Sequence, residues 1–192
     1  EDPTGYGRIV RNGDGEVLRI VEHKDATDDE RRIDEVNSGV YAFDAAVLRD
    51  SLGKLGTDNS QGELYLTDVI QLARRDDKVV RGHRIDDADR VAGVNDRVQL
   101  AALAAEMNRR LCEAAMREGA TIVDPRSTWI DVDVTVGRDV TILPGTHLTG
   151  TTSIADDATV GPDTTLHDTT VGEGATVVRT HATGASIGAG SE

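Results

Sequence analysis

The chain has 192 residues, enough for one large domain or two small ones with a real core. Its 21 Lys and Arg against 35 Asp and Glu leave a formal charge of −14, which argues against DNA, RNA or an anionic membrane surface as the main partner. No run of about eighteen apolar residues is present to span a bilayer, no basic and apolar leader opens the sequence, and the lone Cys112 allows no internal disulfide, so a cytoplasmic protein is expected.

The sequence opens on Glu1 rather than Met, and a piece of a longer protein is the expectation. With only Tyr6, Tyr41, Phe43, Tyr65 and Trp129 as aromatics, the core must be built from Val, Ile, Leu and Ala. In chain order, Arg8–Arg11 and Val17–Val21 flank Asn12-Gly13-Asp14-Gly15, a turn sequence that predicts a hairpin. Val36 to Phe43 reads as a strand. Asp44 can cap a helix that runs through Leu52 and ends at Gly53. Leu66, Val69, Ile70 and Ala73 share one helical face and predict a helix over Glu63–Arg74. Val79-Val80 and Val91–Val94 read as short strands. The sum is α/β, with too few strands for a closed sheet; the missing strands are expected upstream or from another chain.

Asn95 reads as the N-cap of a long helix from Asp96 to Arg117. Leu100, Leu103, Met107, Leu111 and Ala114 form its apolar stripe. At 1.5 Å per residue this is a rod of roughly 30 Å, suited to holding two domains at a fixed angle. Cys112 lies beside the stripe and reads as packing rather than a reactive thiol.

Composition then changes. From Gly119 onward there is no Lys, only Arg126, Arg138 and Arg179 as fixed cations, and Thr and Gly replace the helix formers. Ile130, Val136, Ile142, Leu148, Ile154, Val160 and Leu166 recur every six residues. Four residues after each stands Val134, Val140, Thr146, Thr152, Ala158, Thr164 or Thr170, all small or β-branched. Val171 and Val177 continue after a one-residue slip, and Ile187-Gly188 resumes the pattern. A period of six fits neither a helix nor a flat strand; it fits a chain winding around a prism, one hexapeptide per face. Gly137, Gly161, Gly172 and Gly188 are expected to ease its corners, and residues 130–188 to supply about three coils.

Five segments carry the chemistry: Asp2-Pro3-Thr4-Gly5-Tyr6-Gly7-Arg8-Ile9, Val21-Glu22-His23-Lys24-Asp25-Ala26-Thr27, Glu35-Val36-Asn37-Ser38-Gly39-Val40, Gly62-Glu63-Leu64-Tyr65-Leu66-Thr67-Asp68 and Gly93-Val94-Asn95-Asp96-Arg97. Taken alone, Glu22 also admits a reading as an exposed strand-end charge and Asn37 one as a turn residue, while Asn95 reads first as a cap and can serve both roles. The five histidines match no metal spacing.

In this order, ahead of a helix and hexapeptide coils, the segments resemble the bacterial bifunctional N-acetylglucosamine-1-phosphate uridylyltransferase / glucosamine-1-phosphate acetyltransferase family over essentially the whole chain. The resemblance implies residues 1–97 as the C-terminal half of a Rossmann-like nucleotidyltransferase domain, 98–118 as a linker helix, and 119–192 as the first coils of a left-handed parallel β-helix. It implies that Gly7, Glu22 and Asn37, with Tyr65 and Thr67, bind UDP-N-acetylglucosamine. Asn95 is implied both as part of that site and as a ligand of Mg²⁺. The implied substrates are UTP, N-acetylglucosamine-1-phosphate, glucosamine-1-phosphate and acetyl-CoA, and the implied assembly is a homotrimer. The family's glycine-rich phosphate loop, the Asp that partners Asn95 on the metal, and the acetyltransferase histidine have no counterpart here, so the piece alone is expected to catalyse neither reaction. Two alternatives stay open: a glucose-1-phosphate adenylyl- or thymidylyltransferase with an appended β-helix, and a non-catalytic trimerising scaffold.

Overall fold

The structure is a computed structural model that describes residues 3–192; Asp2 of the opening motif lies outside the described residues. The chain divides into two compact units, Glu1–Gly93 and Val94–Glu192.

The first unit is built on the expected hairpin. Strands β1 (Arg8–Arg11) and β2 (Val17–Val21) pair antiparallel, Ile9 opposite Ile20. Asn12 closes the turn, its Oδ1 accepting the N–H groups of Asp14 and Glu16. Helix α1 (Asp28–Arg31) starts in a capping box between Thr27 and Glu30. Helix α2 (Ala45–Leu52) begins at the Asp44 cap, as its sequence predicts. Helix α3 (Asp68–Arg75) buries Val69, Ile70 and Ala73. Val17, Ile20 and Ile70 form a small core with Ile9, Tyr41, Phe43 and Val80 against it.

Three local expectations fail here. Helix α3 starts at Asp68, not Glu63, because Asn59 folds residues 59–63 into a turn: its Oδ1 accepts from Gln61 and Glu63, and Gly62 takes φ +66°. Val36–Phe43 is no strand; Val36 makes one bridge to Arg8, and then a turn at Asn37 with Gly39 at φ +76° breaks the extended run. Val79-Val80 and Val91–Val94 join no ladder among the described residues, and Val91 instead ends a 3₁₀ turn, Ala88–Val91. A strand forms only where a neighbour takes its backbone hydrogen bonds, and these valines meet none.

The second unit opens with helix α4 (Arg97–Arg117). Its N-cap is Asp96, one residue beyond the expected Asn95: the Asp96 carboxylate accepts the Gln99 N–H at 2.8 Å, while the Gln99 side chain accepts from Asn95 N–H at 2.7 Å. The predicted stripe is also corrected. Leu100 and Met107 are about half exposed, and the helix buries Asn108 and Cys112 with Leu111, Ala115 and Met116 packed beside them.

After it the chain coils into a three-sided prism of parallel strands, a β-helix of the left-handed hexapeptide class. One face stacks β3 (Thr121–Ile122), β6 (Thr141–Ile142), β9 (Thr159–Val160) and β12 (Thr176–Val177). The second stacks β4 (Trp129–Ile130), β7 (His147–Thr149), β10 (Thr165–His167) and β13 (His181–Thr183). The third stacks β5 (Thr135–Val136), β8 (Ser153–Ile154), β11 (Thr170–Val171) and β14 (Ser186–Ile187). The winding thus begins at Thr121, earlier than the hexads alone indicate, and each face carries four strands rather than three.

Register explains the period. Thr135 stands beside Ser153, eighteen residues on, which is three hexapeptides per coil. The aliphatic position faces inward: Ile142, Leu148, Val160 and Leu166 are wholly buried. Val140, Thr146, Thr152, Ala158 and Thr164 fill the second inward position. Below Leu166 the coil shortens, so the buried threonine is Thr169 and Thr170 faces outward, against expectation. Gly137 and Gly172 do not turn corners either; they sit where the next coil's backbone presses close. Several corners fall to Asp139, Asp157, Asp163 and Asp168, all at positive φ, which Asp tolerates better than most side chains. Cys112 is fully buried, and burial pushes its thiol up from the ordinary range, in keeping with a packing role.

Among the described residues no helix is long and apolar enough to cross a membrane.

Candidate functional site

Four of the six expected site residues come together at one end of the hairpin. Gly7 precedes β1 and Glu22 follows β2, so antiparallel pairing carries them to the same edge. A Cβ on Gly7 would lie 3.2 Å from the Ile20 side chain and 3.4 Å from Glu22 Oε2, so the bare backbone is what lets these groups pack so closely.

Asn37 is tied to the same edge. Its N–H donates to the Gly7 carbonyl at 2.8 Å, and two residues earlier the Glu35 carbonyl accepts the Ile9 N–H at 3.0 Å. The Arg11 guanidinium grips Glu35 with two bonds, from Nε at 2.8 Å and Nη2 at 2.6 Å, and holds its carboxyl below the usual carboxylate range. The Asn37 side chain accepts from Gly39 N–H and from the Tyr41 hydroxyl. Turn residue and site candidate are therefore compatible readings of Asn37.

Thr67 approaches from α3. It stands at the N-cap position but makes no capping bond; its buried hydroxyl donates instead to Glu22 Oε1 at 3.0 Å. Glu22 is thus half-buried, with one oxygen committed and the other beside Gly7. Burial pushes the Tyr41 phenol up, and the Glu22 charge pushes it the same way.

Tyr65 lies in an adjoining network. Its hydroxyl accepts from Gln61 Nε2 at 3.1 Å, and Asp25 accepts the Ser60 N–H at 2.8 Å, a bond that holds the Asp25 carboxyl low. Burial, with the Asp25 charge as a second cause, pushes the Asp68 carboxyl up. Asn95 belongs to the second unit, where its side chain makes none of the capping bonds of α4. No group of three or more His, Cys, Asp or Glu able to hold a metal occurs among the described residues.

A cavity of about 930 Å³ opens against Asn37 and Tyr41, with Ile9, Phe43, Ile70 and Val80 among its walls. It is bounded by the segments that read as strands in the sequence, and Glu22 and Thr67 do not line it. Tyr41 itself escapes sequence reading: nothing in the spacing Asn37-x-x-x-Tyr41 announces a bond between the two side chains, because a turn, not a helix, brings them together.

The nucleotidyl transferase family model matches residues 1–132. "Bifunctional protein GlmU" of Corynebacterium jeikeium is 65% identical over 192 residues, 100% of this chain and 39% of that protein. The protein of the same name from Mycolicibacterium vanbaalenii is 64% identical over 187 residues, 97% of this chain and 38% of its own length. That of Corynebacterium glutamicum is 62% identical over 188 residues, again 39% of its length. The chain therefore spans somewhat over a third of these relatives, while the family model covers more than half of the chain. This chain belongs to the nucleotidyl transferase family.

Proposed function

We propose that the chain is part of a bifunctional enzyme that makes UDP-N-acetylglucosamine. One activity transfers the acetyl group of acetyl-CoA to glucosamine-1-phosphate. The other joins the resulting N-acetylglucosamine-1-phosphate to UTP, its phosphate oxygen attacking the α-phosphorus as pyrophosphate leaves. The single observation that carries this reading is the match, along 97–100% of the chain, to relatives named bifunctional, across both the Gly7–Glu22–Asn37–Thr67 cluster and the β-helix. Two activities on two units suit a chain that joins two folds.

In the uridylyltransferase half, Gly7 lets the sugar nucleotide approach the backbone, Glu22 and Asn37 bond ring substituents, and Thr67 holds Glu22 in place. Tyr65, from the adjoining network, contributes to the same sugar site. A site built to hydrogen-bond a hydroxyl rejects an analogue lacking it, because a buried partner is then left unpaired.

Mg²⁺ suits an amide oxygen together with phosphates and waters, and Asn95, whose side chain is free of capping duty, offers that oxygen. The ion supplies positive charge beside a triphosphate, which a chain of net charge −14 needs. Acetyl-CoA, homotrimeric assembly through the β-helix, and a cytoplasmic setting complete the proposal.

Calorimetric titration of the chain with UDP-N-acetylglucosamine, ADP-glucose and dTDP-glucose tests it. Preferential uptake of the first, weakened about 10-fold or more by Glu22→Ala, is the expected result. Equal uptake of all three, or no effect of the substitution, would refute the assignment.

A further inference from the structure

An asparagine amide has two chemically different ends, and two contacts settle which end of Asn37 is available. The Gly39 N–H lies 3.1 Å from Asn37 Oδ1. A backbone N–H can only donate, so the atom opposite it must be the amide oxygen. The Tyr41 hydroxyl lies 2.9 Å from that same oxygen and donates to it as well. Both lone pairs of Oδ1 are then engaged, and Nδ2 keeps its two N–H groups without a partner among the described residues. The Asn37 main chain is held separately, through its bond to Gly7. Across the cluster, the Thr67 hydroxyl takes Glu22 Oε1, which leaves Oε2, the oxygen packed beside Gly7, without a side-chain partner among the described residues.

We propose that Tyr41 is a positioning residue that fixes the polarity of the Asn37 amide, so that the site offers a donor-only contact at Asn37 Nδ2 and an acceptor-only contact at Glu22 Oε2. This rests on the sugar-nucleotide reading and deepens it. The ligand must present an acceptor, an amide carbonyl or hydroxyl oxygen, to Asn37 and an O–H or N–H to Glu22. An acylated amino sugar carries both kinds of group on one ring. A protonated amine opposite Asn37 would set donor against donor.

The phenol's surroundings agree with the geometry: Tyr41 stacks on Phe43 with ring centroids 5.5 Å apart, which limits where its hydroxyl can point.

Two measurements on the chain test the proposal. In ligand-free protein, nuclear Overhauser contacts should place the Asn37 δ-amide protons away from the Gly39 N–H; a strong contact between them would overturn the assigned polarity. In titrations with UDP-N-acetylglucosamine, Tyr41→Phe should weaken binding by about 3- to 10-fold when residue 37 is Asn, and not when Asn37→Ala is already present. Equal loss in both backgrounds would reduce Tyr41 to packing and overturn its positioning role. Asn37→Asp keeps the acceptor for Gly39 and Tyr41 but turns the free donor into an acceptor, and should cost more than about 10-fold. Failure of the unsubstituted chain to take up UDP-N-acetylglucosamine would sink the sugar-nucleotide reading, while the ligand-free contacts would still decide the amide polarity.

Discussion

The side chain of Asn108, in helix α4, accepts the backbone N–H of Ile130, in edge strand β4, at 3.0 Å. Its other end donates to the Thr128 carbonyl at 2.7 Å, so one amide does for β4 what a further strand does elsewhere in the stack. The helix thus closes the first coil by chemistry as well as by bulk. Asn108→Leu should leave the Ile130 N–H without a partner and the Thr128 carbonyl with only the long contact from the Cys112 thiol at 3.8 Å, and destabilise the second unit by about 2–4 kcal/mol. Urea denaturation followed by circular dichroism measures the loss, and hydrogen exchange at Ile130 should accelerate more than at Leu148, deep in the same sheet.

That amide also explains why the buried face of α4 departs from the expected stripe. An apolar stripe at Leu100, Leu103 and Met107 satisfies the periodicity rule, yet the covered face centres on Asn108 and Cys112. A helix laid over a strand edge needs a polar group where one laid over a sheet face needs an aliphatic one. The hexad, by contrast, was legible because each coil repeats the same inward positions and the next coil checks it. Where coils shorten below Leu166 the check lapses, and Thr169 holds the place that the hexad predicts for Thr170. In the first unit the hairpin was legible from Asn12 and its neighbours. Val79-Val80 was not, since whether a β-rich dipeptide becomes a strand depends on a partner that local sequence does not specify. Gly7, Glu22 and Asn37 were found through family resemblance; the bonds that orient them, from Thr67 and Tyr41, came from the structure.

The Arg11–Glu35 pair should make the site sensitive to acid. Arg11 hydrogen bonds hold the folded Glu35 carboxyl below its unfolded value, so the linked stability is present above the usual Glu range of about 4.3 and is lost as pH falls through the depressed folded value. Both side chains retain some solvent contact, at 28% and 21% exposure, which limits the contribution to about 0.5–1 kcal/mol. Urea midpoints of the first unit should fall between about pH 5 and pH 3, and Glu35→Gln should flatten part of that slope. An identical profile in the variant would show that Glu35 contributes nothing to it.

Removing the Glu22 charge should be felt at Tyr41. Burial and the nearby carboxylate both hold that phenol above the ordinary tyrosine value. Glu22→Gln keeps the shape and an acceptor for Thr67 but deletes the charge, so the Tyr41 pKa should fall while remaining above that of an exposed tyrosine. Ultraviolet difference titration, with Tyr41→Phe identifying the signal, reads this directly. An unmoved phenol would separate Glu22 from Tyr41 and weaken the description of one cluster.

Two glycines of the β-helix should respond differently to substitution. At Gly137 a Cβ would meet the Asp156 carboxylate and lie 2.8 Å from the Asp156 nitrogen, so the coil below would have to move. Coils stacked through backbone hydrogen bonds, such as Gly137 N–H to the Ile154 carbonyl at 2.9 Å, cannot move one at a time. Gly137→Ala should therefore cost about 1–3 kcal/mol through overpacking. At Gly174, φ is +66° but nothing lies within 4 Å of an added Cβ. The equivalent corners one and two coils earlier hold Asp157 and Asp139 at φ +62° and +56°, so this backbone shape already accommodates aspartate. Gly174→Asp should thus change stability by less than about 1 kcal/mol, with Gly174→Ala costing somewhat more because alanine lacks the short polar group that eases the left-handed region. Parallel urea titrations of the three variants measure the order. A Gly137→Ala protein as stable as Gly174→Asp would mean that close stacking of coils, rather than corner geometry, had been wrongly assigned to Gly137.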